Sequence, residues 1–145
     1  MKIISGLIII LSSISIHINE QYSDIQKIDS SINECMQNKI RTQDLLDCIN
    51  TADSLMDILL NESYKQLILQ LKPEDKENLK KSQREWLVFY NLEVNFINKA
   101  FRTYANFSKY ETGMEQNIDN SYKIYNLKKD RVGLLIDYIK ITKPD

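Results

Sequence analysis

The chain's 145 residues suffice for one domain and not for two, and a hydrophobic share of 43% can fill a single core. Its 19 Lys+Arg stand against 20 Asp+Glu, so the basic excess that marks a nucleic-acid binder is absent. Three Gly and two Pro over this length leave few helix breakers and point to long helices.

Residues 1–20 differ from the rest. Met1-Lys2 supplies one positive charge, Ile3 to Leu11 is an almost unbroken apolar run, and Ser12, Ser13 and Ser15 follow. This is the layout of a secretory signal peptide, with Ser13-Ile14-Ser15 the best small-x-small site and cleavage expected after Ser15. The alternative is an uncleaved anchor, but the run falls short of the ~20 apolar residues of a span. No stable membrane insertion is expected once the peptide is removed. Removal takes away Lys2 alone among the charged residues and leaves a faintly acidic chain, with residues 21–145 as one domain. The expected location is the periplasm or the medium.

Export changes how Cys35 and Cys48 are read. An isolated pair in an oxidising compartment is expected to join, with two free thiols as the alternative. The sole His17 lies within residues 1–20 and could supply one ligand at most, so no metal set and no cofactor are expected.

Four amphipathic segments follow. In the first, about Ser23 to Lys39, Ile25, Ile28, Ile32 and Cys35 recur at helical steps. The second runs from Thr42, the expected N-cap, to Leu71, with Leu45, Ile49, Ala52, Met56, Leu59, Leu60, Leu67 and Leu71 in the same period. The chain turns near Arg41, and Cys35 and Cys48 lie about equally far from that turn on opposite sides, so antiparallel helices bring them together. Lys72-Pro73-Glu74-Asp75 punctuates the chain: Pro suits a first helical position, and the acids after it face the positive end of the helix dipole. The third helix is expected to reach about Tyr104 with Leu79, Trp86, Phe89, Tyr90, Ile97, Ala100, Phe101 and Tyr104 inward, forming an antiparallel hairpin with the second. The period lapses from Asn106 to Asp119, read as a loop, and a fourth helix runs from about Asn120 to Lys140 with Tyr125, Val132, Leu135, Ile136 and Ile139 inward. The fold class is therefore all-α: a bundle of about four helices built on a long hairpin, with one disulfide.

The stretch Cys48 to Phe89 carries a Cys, then Asp57-x-x-Leu60-Asn61-x-x-Tyr64-x-x-Leu67, Pro73-Glu74, and Leu79-x-x-x-Gln83-Arg84-x-Trp86. It resembles the lysozyme-inhibitor LprI-type domain family of exported bacterial proteins, with Cys35, Leu127 and Arg131 compatible outside the stretch. The chain departs from the family pattern at Val94 and about Lys123, where a second cysteine pair is common, and at Met56, where an aromatic is common. An Arg expected near Tyr90 is absent as well.

Folding the hairpin about Lys72 sets Asn61 opposite Gln83 and Asp57 about one turn from Arg84. Exchange of amide hydrogen bonds and a charge-assisted pair would then set the helix register, with Tyr64 and Trp86 filling the adjacent core. The functional alternative is that Asp57, Gln83 and Arg84 form a binding site on the hairpin.

Catalysis finds little support. No His follows residue 20 to activate a nucleophile, there is no G-x-S-x-G, P-loop or H-E-x-x-H, and the carboxylates are scattered. Tyr104, Phe107, Tyr110, Met114, Tyr122 and Tyr125 crowd the irregular segment and its shoulders, which suits an interface. Glu111 and Glu115 add negative charge there, fitting a cationic protein such as a lysozyme. The expectation is an exported protein-binding module and not an enzyme. The family resemblance implies a lysozyme inhibitor acting by contact. An envelope adaptor, or a carboxylate-dependent cell-wall glycan enzyme, are the alternatives.

Overall fold

The computed structural model describes residues 22–39, 41–105 and 113–142, and among these every regular element is a helix. They are α1 (22–36), α2 (Thr42–Gln70), α3 (Pro73–Ala105) and α4 (Gly113–Ile141). The signal-peptide expectation falls on residues 1–20, outside the described residues. Among the described residues no helix is long and apolar enough to cross a membrane.

Tertiary contacts give the directions. Thr142 hydrogen-bonds Gln70 at 3.3 Å and Lys128 bonds Asp53 at 2.7 Å, so α2 and α4 run parallel. Tyr22 donates to Asp137 at 2.6 Å and Tyr125 to Asp29 at 2.8 Å, which sets α1 antiparallel to α4. Arg131 on α4 reaches Gln83 while Lys128 lies over Tyr90, so α3 also runs antiparallel to α4. The result is an up-down-up-down arrangement. Its core joins Ile28 and Ile32 of α1, Ile49, Ala52, Met56, Leu59, Leu60 and Leu67 of α2, and Tyr125, Val132, Leu135, Ile136 and Ile139 of α4. Among the described side chains of α3 Leu79 alone enters this buried cluster, with Trp86 partly buried against it.

The expected disulfide is present: Cys35 and Cys48 are bonded with a Cα–Cα separation of 5.9 Å across the α1–α2 turn. Three expectations need correcting. The N-cap of α2 is Arg41, in extended backbone, and Thr42 is the first helical residue. No side chain caps this end; instead the Arg41 guanidinium grips the Asp44 carboxylate at 2.9 and 3.0 Å, holding an acid in the first turn where the dipole favours it. The fourth helix begins at Gly113 and not near Asn120. Its first turns hide their period because polar Asn120 is buried while Ile118 and Tyr122 pack on the core, so inward positions alternate in polarity. Phe89, expected inward, is 47% exposed on the outside of α3.

The hairpin of α2 and α3 turns at Leu71-Lys72 as expected, but its arms are not each other's main partners. α2 packs along its length on α4, α3 packs more lightly on α4, and the backbones of α2 and α3 keep apart. The reason is in the side chains: α2 turns its continuous apolar stripe toward α4, whereas the polar Asp57, Asn61, Lys80 and Arg84 occupy the space between the hairpin arms.

Candidate functional site

Two buried cations on α4 organise the contacts between helices. Lys128 is 8% exposed, and its Nζ donates to Asp53 Oδ2 at 2.7 Å and pairs with Asp57 Oδ1 at 3.2 Å, both on α2. The ammonium also lies 5.8 Å from the Tyr90 ring centre on α3, so one charge ties three helices. Burial works against the charged form, but the hydrogen bond and field of Asp53 outweigh it and raise the Lys128 pKa.

Arg131 lies one turn further along α4 and is 6% exposed. Its Nε and Nη2 both donate to Gln83 Oε1, at 3.0 and 2.9 Å, and Nη2 reaches Ser82 Oγ at 3.3 Å. The guanidinium carbon sits 5.8 Å from the Trp86 ring, which stacks on Tyr90 at 5.2 Å. Burial lowers the Arg131 pKa, but a guanidinium stays charged throughout the working pH range. Its hydrogen-bond acceptors on α3 are neutral.

The register residues therefore divide. Gln83 and Trp86 align α3 with α4 through Arg131. The expected exchange between Asn61 and Gln83 does not occur: Asn61 Nδ2 donates to the Asp57 backbone carbonyl at 2.8 Å, and Gln83 Oε1 is held by Arg131. Asp57 likewise pairs with Lys128 and not with Arg84. The physical reason is burial: the cations on α4 are more deeply desolvated than the groups between the hairpin arms, so they take the acceptors within reach. Sequence reasoning missed Lys128 altogether. The one signal for it is a basic residue in a helical stripe, four places before the buried Val132.

What remains between α2 and α3 is an open groove of about 530 Å³. Asp57, Asn61 and Tyr64 line the α2 wall, Lys80, Gln83 and Arg84 the α3 wall, and Leu60 and Leu87 add apolar surface. Asp57, Asn61 and Arg84 are exposed, and Tyr64 and Gln83 are partly so. Lys80 is held by Glu77 at 2.6 Å, and that hydrogen bond keeps the Glu77 carboxyl below its usual range. The groove thus offers an acid and an amide on one side, cations on the other, and the half-buried ring of Tyr64 beside them. The structure brings five of the sequence-selected residues, Asp57, Asn61, Tyr64, Gln83 and Arg84, to one surface feature. The sixth, Trp86, packs behind it.

Of the aromatic segment, Phe107, Tyr110 and Glu111 lie outside the described residues, as do the side chains of Tyr104 and Met114. Glu115 is exposed in the first turn of α4. Tyr122 and Tyr125 turn into the protein: Tyr122 donates to Met36 Sδ at 3.0 Å, and Tyr125 is fully buried.

Several tyrosines should resist ionisation. Burial, then the hydrogen bond to Asp137, pushes Tyr22 up to about 12. Burial and the contact with Asp29 raise Tyr125 further, and burial raises Tyr90 and Tyr122. A raised folded pKa contributes stability that is complete below the unfolded value of about 10 and is lost as pH climbs through the folded value. Lys128 acts in the same direction. Ultraviolet titration of tyrosinate should therefore show these four ionising above the usual tyrosine range, with urea resistance falling steadily above about pH 10. Ionisation of Tyr22, Tyr90, Tyr122 and Tyr125 at the usual tyrosine value in the folded protein would contradict this.

Comparison with known proteins yields a family match. The family model described as "Lysozyme inhibitor LprI" covers residues 32–135, which contain the groove, both buried cations and the disulfide. No curated protein and no solved structure matches the chain.

Proposed function

The chain belongs to the lysozyme inhibitor LprI family, and from that premise we propose that it is an exported lysozyme inhibitor whose groove between α2 and α3 receives part of the enzyme. One observation carries the choice of surface. The polar residues on which the family resemblance rests line one open groove: Asp57 and Gln83 are tied to α4 through Lys128 and Arg131, while Asn61 and Arg84 stay exposed to it. Exposed charged and amide groups held on two helices suit recognition, because the helices fix their positions while water leaves their hydrogen-bonding capacity available. Export is supported by the Cys35–Cys48 bridge, which belongs to an oxidising compartment, together with the apolar run of Ile3 to Leu11. The mechanism is occlusion by contact, with no chemistry on the inhibitor's side.

The test titrates the protein into a panel of lysozymes digesting cell walls. The wild type should inhibit at least one of them. Tyr64→Ala and Arg84→Glu should weaken inhibition by roughly 10-fold or more, the loss of a hot-spot contact, while the helical circular dichroism stays near wild type and melting falls only for Tyr64→Ala, whose ring also packs on the core. Absence of inhibition at large excess across the panel would rule out the inhibitor reading for those enzymes. Full potency in both variants would move the contact away from the groove. The segment from Tyr104 to Glu115 is the second candidate surface, and Tyr110→Ala with Met114→Ala tests it in the same assay.

A further inference from the structure

The outer face of α3 carries an apolar stripe with no role in the bundle core. Val88 is 56% exposed, Leu92 64% and Phe96 63%, and they follow one another at four-residue steps. Glu85 and Lys99, both exposed, continue the same stripe at its two ends. The five positions stay within one side of the helix, opposite the side on which Trp86, Tyr90 and Ile97 face inward. Monomeric proteins rarely leave several large apolar side chains contiguous and half exposed.

The order of residues along the stripe names its occupant. Reversal about Leu92 exchanges Val88 with Phe96 and Glu85 with Lys99. A second copy of α3 laid antiparallel across Leu92 therefore meets apolar with apolar at the centre and opposite charges at both ends. A two-fold axis repeats each contact twice. A parallel pairing would set Glu85 on Glu85 and Lys99 on Lys99. We propose that the outer face of α3 is a self-association surface, joining two copies antiparallel through Val88, Leu92 and Phe96 with Glu85 and Lys99 of opposite copies paired at the rims. This pairing is independent of the groove's role as the inhibitor surface. Arg84 on the groove wall lies eight residues from the axis at Leu92, so association sets the two groove edges at opposite ends of the contact, about 24 Å apart along the helices.

The contact extends over about four helical turns, near the small end of specific interfaces, so the equilibrium is to be followed over a dilution series. Sedimentation of the oxidised full-length protein should show a reversible dimer. Leu92→Asp, at an exposed site that folding does not use, should raise the dissociation constant by about 30-fold or more with an unchanged helical spectrum. Glu85→Lys and Lys99→Glu should each weaken the dimer, and the double exchange Glu85→Lys/Lys99→Glu should restore it, because the rim pairs re-form with their signs inverted. A monomer at every concentration, an association that survives Leu92→Asp, or single charge reversals without effect would each overturn the proposal.

Discussion

Gln83→Ala should lower the unfolding free energy by about 3 kcal/mol, more than removal of the charge that Gln83 serves. Arg131 is buried on α4, and the single oxygen Gln83 Oε1 accepts two of its N–H groups. Truncating Gln83 leaves the guanidinium with Ser82 Oγ at 3.3 Å and the face of Trp86. An uncompensated buried charge is among the most destabilising lesions a point mutation produces. Arg131→Met deletes the charge and fills most of the same volume, so its cost should stay near 1.5 kcal/mol or below. Gln83 lines the groove and can then turn its amide to water. The combined Gln83→Leu/Arg131→Met protein should be more stable than Gln83→Ala alone. Urea unfolding of the three variants decides the matter, and a Gln83→Ala protein no weaker than Arg131→Met would show that the guanidinium finds another partner.

Loss of the disulfide is the second large effect. The bond links residues 13 apart, and closing a loop of that size is worth about 3 kcal/mol through the restricted unfolded chain. For a domain of this size that is a fall in melting temperature on the order of 10 °C. Cys35→Ser and reduction of the wild type should act alike, because Cys35 is exposed and loses little packing. Cys48→Ser should cost somewhat more, since it places a hydroxyl in a site only 5% exposed. The weakened element should be α1. Apart from the bridge it is held by Ile28 and Ile32, by half-buried Ile25 and Met36, and by the contacts of Tyr22 with Asp137, of Asp29 with Tyr125 and Lys129, and of Met36 with Tyr122. Hydrogen exchange should therefore quicken first in residues 22–36. Equal melting with and without reductant would mean that the bridge constrains neither state.

The helices α1, α2 and most of α4 were legible from apolar spacing, as was the turn at Leu71-Lys72 from Pro73. The disulfide followed from two cysteines placed symmetrically about one turn. The start of α4 was not legible, because buried Asn120 and its polar neighbours break the apolar period that marks a helix face. The candidate site was legible as a set of residues and not as an arrangement. Asp57, Asn61, Tyr64, Gln83 and Arg84 were singled out together, and they do share one groove. Their partners were misjudged because the deciding groups, Lys128 and Arg131, come from a helix distant in sequence.

Local order therefore came from the chain alone. Helical period, caps, breakers and cysteine spacing act over three or four residues, or across one short turn, and each is written where it operates. Which helices became neighbours was decided only in three dimensions. α3 is apolar on two sides, through Trp86, Tyr90 and Ile97 on one and Val88, Leu92 and Phe96 on the other; spacing marked the first side as inward without naming the helix it meets. The choice fell to α4, whose buried Lys128 and Arg131 had to find acceptors and aromatic rings. A desolvated charge selects its surroundings from the whole fold, and that selection turned one side of α3 inward and left the other facing water.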